Sequence, residues 1–193
     1  MGRREEILDS ALDQFNKYGI AKLTLEDIAR ALGLKKTAIY YYFKSKDDLL
    51  KEMIERIIEN VKDEVTETVD KAEGVKNKLR AFMLCKVSSM RKNGNLWELF
   101  DKDYLPKRAK DFLMLKKGCI AEFDFNTIYK IIDDGIKENK IEYLINDSLV
   151  LMIMGVVYGI FIGNFVINVN WNEESLIENS LKVIFKGIGF DEE

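Results

Sequence analysis

Residues 148–172, SLVLMIMGVVYGIFIGNFVINVNWN, run for 25 residues without an Asp, Glu, Lys or Arg. About 20 consecutive apolar residues is the length of a membrane span. Gly155, Gly159 and Gly163 recur at the four-residue spacing that lets helices pair closely in lipid. The flanks argue the other way. A span carries basic residues on its cytoplasmic side, yet Asp147 precedes this run and Glu173 and Glu174 follow it. Asn164, Asn168 and Asn170 also shorten its apolar part. No membrane partner is therefore expected, and a helix apolar on most faces must then be covered by protein. The glycines become a stripe along which a second helix can approach closely.

The rest of the chain also reads as helix. Pro106 is the only proline among 193 residues, and Leu, Ile, Lys and Glu are abundant. Ile7, Leu8, Ala11, Leu12 and Phe15 mark an amphipathic helix over 3–18, ended by Gly19. Thr24 is an N-cap for a short second helix, with Asp27 at the capping-box position, and Gly33 ends it. A third short helix, TAIYYYF, follows. Ser45 caps a fourth whose apolar positions, from Leu49 to Val69, keep helical period until Gly74. At ~1.5 Å per residue that helix spans roughly 40 Å, enough to leave a three-helix head and enter a second body. Further helices are expected at 75–92, 95–102, 107–118, 120–138, 147–168 and 173–187. The fold class is all-α, with a head over 1–46 and a helical body over 47–193.

Composition removes several kinds of chemistry. The chain has no histidine, so Ser–His–Asp and Cys–His nucleophile systems and His-containing metal sites are impossible. No GxxxxGK[ST] or GxGxxG phosphate cradle occurs. No catalytic role, cofactor or metal is expected. Cys85 and Cys119 lie far apart, outside any CxxC spacing, and the N-terminus lacks a signal-peptide core. Both features suit a reduced, cytoplasmic protein.

Residues 25–44, LEDIARALGLKKTAIYYYFK, have the pattern of a helix-turn-helix. Ala29 is small where two helices must cross, Gly33 supplies the turn, and Ile39 packs the second helix back beside Ile28 and Leu32. Between Leu34 and Lys46 the only charged residues are Lys35, Lys36, Lys44 and Lys46, interleaved with Thr37, Tyr40, Tyr41 and Tyr42. Lysines neutralise phosphates; hydroxyls and aromatic edges reach phosphates, bases and thymine methyls. The chain's net charge of −3 is unevenly spread, with +3 on residues 1–46 and −6 on the remainder. A basic head on an acidic body can bind double-stranded DNA at one end.

The stretch TLEDIARALGLKKTAIYYYFKSKDDLL resembles the DNA-binding domain of the tetracycline-repressor (TetR) family of bacterial transcription regulators. The resemblance rests on Thr24, Ile28-Ala29, Leu32-Gly33, Tyr40 with Phe43, and Ser45-Lys46 with Leu49. It implies that Lys36 and Thr37 open a recognition helix and reach base edges. Tyr40 and Tyr41 would contact phosphates and thymine methyls, with Thr24 and Lys46 clamping the backbone. Lys35, Ala38 and Tyr42 depart from the residues common at those positions in the family. In TetR-like proteins the last two helices of each subunit build a four-helix dimer interface. That role would fall to Gly155, Gly159 and Gly163 with Leu176, Leu181, Ile184 and Phe185.

Between the long fourth helix and the last two lie Phe82, Met90, Trp97, Phe100, Phe123, Tyr129 and Tyr158, with Lys86 or Arg91 able to pair an acidic group. Such a lining suits an apolar or amphipathic small-molecule effector. The resemblance implies that an effector moves the long helix and changes the spacing of the reading heads in a homodimer. The sequence thus points to a ligand-responsive transcriptional regulator of the repressor kind. The alternative is a helical dimeric module that binds a small molecule or protein without reading an operator.

Overall fold

The computed structural model describes residues 2–94, 107–138 and 147–188. Among these there is no strand. Eight α-helices follow in chain order: α1 Arg3–Tyr18, α2 Leu25–Ala31, α3 Lys36–Tyr42, α4 Lys46–Asp70, α5 Val75–Lys92, α6 Lys107–Lys137, α7 Asp147–Phe161 and α8 Glu173–Gly187. The expected helix at 95–102 lies outside the described residues.

The chain forms two compact units. One comprises Met1–Glu59 with Asn93–Lys117, the other Asn60–Lys92 with Gly118–Glu193. In the first, the apolar stripe of α1 (Ile7, Leu8, Ala11, Phe15) is buried, as are Ile28 and Ala29 of α2, Ile39 of α3 and Leu49, Leu50 and Met53 of α4. Arg4 forms a two-point ion pair with Glu52, and its guanidinium lies 4.7 Å from the centre of the Phe43 ring. Arg56 reaches Glu5 at 2.7 Å and Asp9 at 3.2 Å. These pairs fasten α1 to α4 in a head whose core is small.

In the second unit α5 packs on α7 and α8, which also pack on each other. Phe82, Met83, Val87 and Met90 of α5, Val150, Ile153 and Val157 of α7, and Ile177, Leu181 and Phe185 of α8 are buried. Arg80 of α5 bridges Glu174, at 2.6 Å, and Glu178 along α8.

Two helix expectations need correction. The helices foreseen at 107–118 and 120–138 are one helix, α6, which runs through Gly118. One glycine inside a helix costs only ~1 kcal/mol, too little to end a run with helical period on both sides. The helix foreseen at 147–168 is α-helical only to Phe161 and continues as a π-turn over Ile162–Val166. Gly163 lies within that segment. A Cβ placed there would lie 2.1 Å from Cζ3 of Trp171, so the indole ring folds back onto a position only glycine leaves open. Gly163→Ala should lower the unfolding free energy by about 1–3 kcal/mol, the usual cost of overpacking, or expel the ring. Thermal unfolding followed by tryptophan fluorescence reads both results.

Candidate functional site

The head presents its surface through a tight two-helix joint. The Thr24 side chain accepts a hydrogen bond from the Asp27 N–H at 3.1 Å, and its hydroxyl donates to Asp27 Oδ2 at 2.6 Å. This caps α2 and fixes where it starts. At the other end Gly33 takes φ +64°, and the Leu34 N–H returns to the Ala29 carbonyl at 2.8 Å. A left-handed glycine followed by such a return bond closes a helix C-terminus without an orphan carbonyl. The chain then enters α3, whose Ile39 is fully buried beside Ile28 and Ala29.

With Ile39 anchored inward, helical spacing turns the functional side chains outward. Lys36, Thr37, Tyr40 and Tyr41 are exposed on α3, as are Lys35 before it and Lys44 after it. Tyr41 is 84% exposed, an unusual position for a large aromatic side chain. Its ring stands nearly perpendicular to that of Tyr42, with centres 5.1 Å apart. Lys46 is half-buried and donates from Nζ to the Ile20 carbonyl at 3.3 Å. Burial pulls its ammonium below the usual lysine range.

The sequence did not reveal Glu26. This residue of α2 pairs with Lys36 across the joint and holds that ammonium above its ordinary range. The pair is exposed, so water and salt weaken it, and a phosphate can compete for the lysine. Arg3 pairs with Glu6 and Arg4 with Glu52, so both N-terminal arginines already have carboxylate partners.

Residues 7–53 match the family described as "Bacterial regulatory proteins, tetR family". The probable acrEF/envCD operon repressor of Escherichia coli K12 is 42% identical over 50 residues, 26% of this chain and 23% of that protein. The HTH-type transcriptional regulator BetI of Agrobacterium fabrum is 31% identical over 81 residues, 42% of this chain and 39% of that protein. Over residues 7–53 the chain is similar to the TetR family. The chain thus spans between about a quarter and two fifths of the length of these relatives. The fold likeness is wider. The FadR transcriptional regulator of Bacillus subtilis, solved with stearoyl-CoA, superposes with a TM-score of 0.68 at 19% identity, over 96% of this chain and all of that one.

In the second unit, two of the expected effector-lining residues, Lys86 and Tyr158, meet at Asp124. Lys86 Nζ of α5 lies 2.8 Å from Asp124 Oδ1 of α6, and the Tyr158 hydroxyl of α7 donates to Asp124 Oδ2 at 2.8 Å. Lys86 and Asp124 are each 1% exposed. Oδ1 has the ammonium beside it and no other donor among the described residues. Burial raises the Asp124 carboxyl above its usual range, opposed by Lys86. Burial and the neighbouring carboxylate push the Tyr158 hydroxyl far up, which keeps it protonated and donating.

Asp124 was legible in principle. It occupies the buried stripe of α6, four residues after Ile120 and four before Ile128. Phe82 and Met90 are buried, Phe123 is half-buried with Lys62 Nζ 5.4 Å from its ring centre, and Tyr129 is exposed and stacked on Phe125. Trp97 and Phe100 lie outside the described residues.

The last two helices divide their apolar residues between two faces. Leu181, Ile184 and Phe185 are buried within the chain, and Gly163 lies under Trp171. Gly155 and Gly159 are exposed with open space above them. An open groove of about 510 Å³ runs between α7 and α8, lined by Met152, Gly155, Val156, Leu176, Asn179, Ser180, Val183 and Ile184.

Proposed function

We propose that this protein is a TetR-family transcriptional repressor. It binds a palindromic operator as a homodimer through α3 and is released by an apolar or amphipathic small molecule. The observation that carries this reading is the outer face of α3, where Lys36, Thr37, Tyr40 and Tyr41 stand exposed among Lys35 and Lys44. Backbone-directed cations beside groups that reach base edges are what sequence-specific duplex binding needs.

One seven-residue helix covers only a few base pairs. A two-fold pair of heads reading half-sites about one helical turn apart supplies the missing specificity. The groove and exposed glycines of α7 and α8 offer a self-complementary apolar face for that pairing. The effector reading is supported by the apolar body interior and by the FadR likeness, since that regulator was solved with stearoyl-CoA. An effector acts only if it binds the two dimer shapes with different affinity. No step in this account calls for catalysis.

Selection of bound sites from a random duplex pool, at a stated salt concentration, tests the operator. One enriched palindrome, bound more weakly as salt rises, is the expected result. Lys36→Ala and Tyr41→Ala should then weaken operator binding, and Lys36→Ala should flatten the salt dependence by about one counterion. Recovery of no palindrome, with or without added acyl-CoA, would leave the non-operator module as the better account.

A further inference from the structure

At the far end of α7 the chain builds a second cleft, of about 640 Å³, that shares no residue with the α7–α8 groove. Its walls come from Arg91 of α5, Asn164 of the π-turn, Asn168, Asn170 and Trp171 of the connection, and Asn172, Glu173 and Glu174 at the start of α8. We propose that this cleft is a binding site for a neutral sugar, a mono- or disaccharide stacked on Trp171 and hydrogen-bonded by Asn168 and Asn170.

The charges argue for a neutral ligand, because each is already matched within the protein. Arg91 Nη1 lies 3.1 Å from Glu173 Oε2. Glu174 is held by Arg80 at 2.6 Å. An anion or cation entering here would have to break one of these pairs.

The carboxamides divide into builders and free groups. Asn164 is a builder: its Oδ1 accepts from the Trp171 N–H at 2.8 Å, and its Nδ2 donates to Glu173 Oε1 at 3.1 Å. Asn172 is another, capping α8 by accepting from the Ser175 N–H at 2.8 Å. Asn168 and Asn170 make no side-chain hydrogen bond to any described residue, and both line the cleft. Each carboxamide offers two donors and an acceptor, the mixture that vicinal hydroxyls require.

Their backbone fixes where they stand. Asn168 has φ +60° and Asn170 φ +55°, the left-handed region that asparagine enters more readily than other non-glycine residues. The Val169 N–H returns to the Gly163 carbonyl at 3.0 Å, so Asn168 closes the end of the π-turn after α7 and is held at the cleft. Trp171 supplies the apolar element. Part of its six-membered ring rests on Gly163, and the side chain remains 43% exposed. A sugar ring has one aliphatic face for such an indole and hydroxyls around its rim for the carboxamides. A nucleobase, flat and apolar on both faces, would find one platform and otherwise polar walls.

The test uses the whole chain. Trp97 is the only other tryptophan, so Trp97→Phe isolates the emission of Trp171. D-glucose, N-acetyl-D-glucosamine and maltose are titrated against it, with AMP as the nucleobase probe. Saturation-transfer NMR on the unaltered chain runs in parallel, independent of any variant. The expected result is a saturable response to at least one sugar, with its ring protons receiving saturation. Asn168→Gly and Asn170→Gly keep the left-handed backbone available and remove only the carboxamide. Each should weaken binding by about tenfold, the scale of one or two lost hydrogen bonds, with the fold unchanged by circular dichroism. Absence of a saturable response to any of the sugars by both methods overturns the site. Undiminished binding in the glycine variants, or binding of AMP in preference to every sugar, overturns the assignment to sugars.

Discussion

Lys86→Met lowers the unfolding free energy by about 3–5 kcal/mol, the usual cost of stranding one charge of a buried pair. Both partners are only 1% exposed, and the ammonium is 2.8 Å from Asp124 Oδ1. Without it the carboxylate keeps, among the described residues, only the Tyr158 hydroxyl as donor. The double variant Lys86→Met with Asp124→Leu should recover most of the loss, because removing both charges also removes their desolvation cost. Acid should relieve the single variant. The Asp124 carboxyl already sits above its ordinary range through burial, and removing Lys86 raises it further. Between the unfolded and folded values the native chain binds the extra proton, so stability falls as pH rises through that window. It is recovered as pH falls through the folded value. Urea unfolding at pH 7.5 and 5.5, at one protein concentration, reads both effects. A smaller penalty at pH 5.5 than at pH 7.5 is the expected result.

The same triad marks where the sequence stopped being informative. Lys86 and Tyr158 could be named because a cation and a tyrosine stood among apolar neighbours. Asp124 is harder to single out, because an acid in the stripe Ile120, Asp124, Ile128 looks the same in sequence as one at the edge of a solvated face. The head was far more legible. Thr24, Ala29, Gly33 and Ile39 act through neighbours within ten residues or so: a cap, a close crossing, a left-handed turn, a buried anchor. Local geometry of that kind is written in local sequence. The Glu26–Lys36 pair falls between these cases, since its members lie only ten residues apart but depend on how the two helices cross. The two-faced use of α7 and α8 was least legible. Periodicity shows that Leu181, Ile184 and Phe185 share a face, but it does not say whether that face meets its own chain or another. Gly163 reads like Gly155 and Gly159 in the sequence; only the fold places Trp171 over it.

That division of faces leads to the second large effect. Val183→Glu should convert the proposed dimer to a monomer while leaving each chain folded. Val183 is 71% exposed in the single chain and Met152 is 59% exposed, so a charge at position 183 disturbs no packing within the subunit. In an α7–α8 pairing the groove they line becomes interior, and two-fold symmetry buries the new carboxylate twice. At a few kcal/mol for each unpaired charge, the dissociation constant should rise by about a thousandfold or more. Light scattering reads the mass, and operator binding should fall with it, since a single α3 covers too few base pairs. The outcome also separates this reading from a membrane. By length and composition Asp147–Asn164 could cross a bilayer, and 39% of that segment is buried within the chain. Yet α8 packs against α7 and carries Lys182 and Lys186 exposed on either side of Val183. Lipid around α7 would have to accommodate those charges, whereas a second copy leaves them at the rim in water. A detergent-free dimer that Val183→Glu splits therefore excludes the bilayer and places the interface. A variant still dimeric at low concentration would place that interface on another surface.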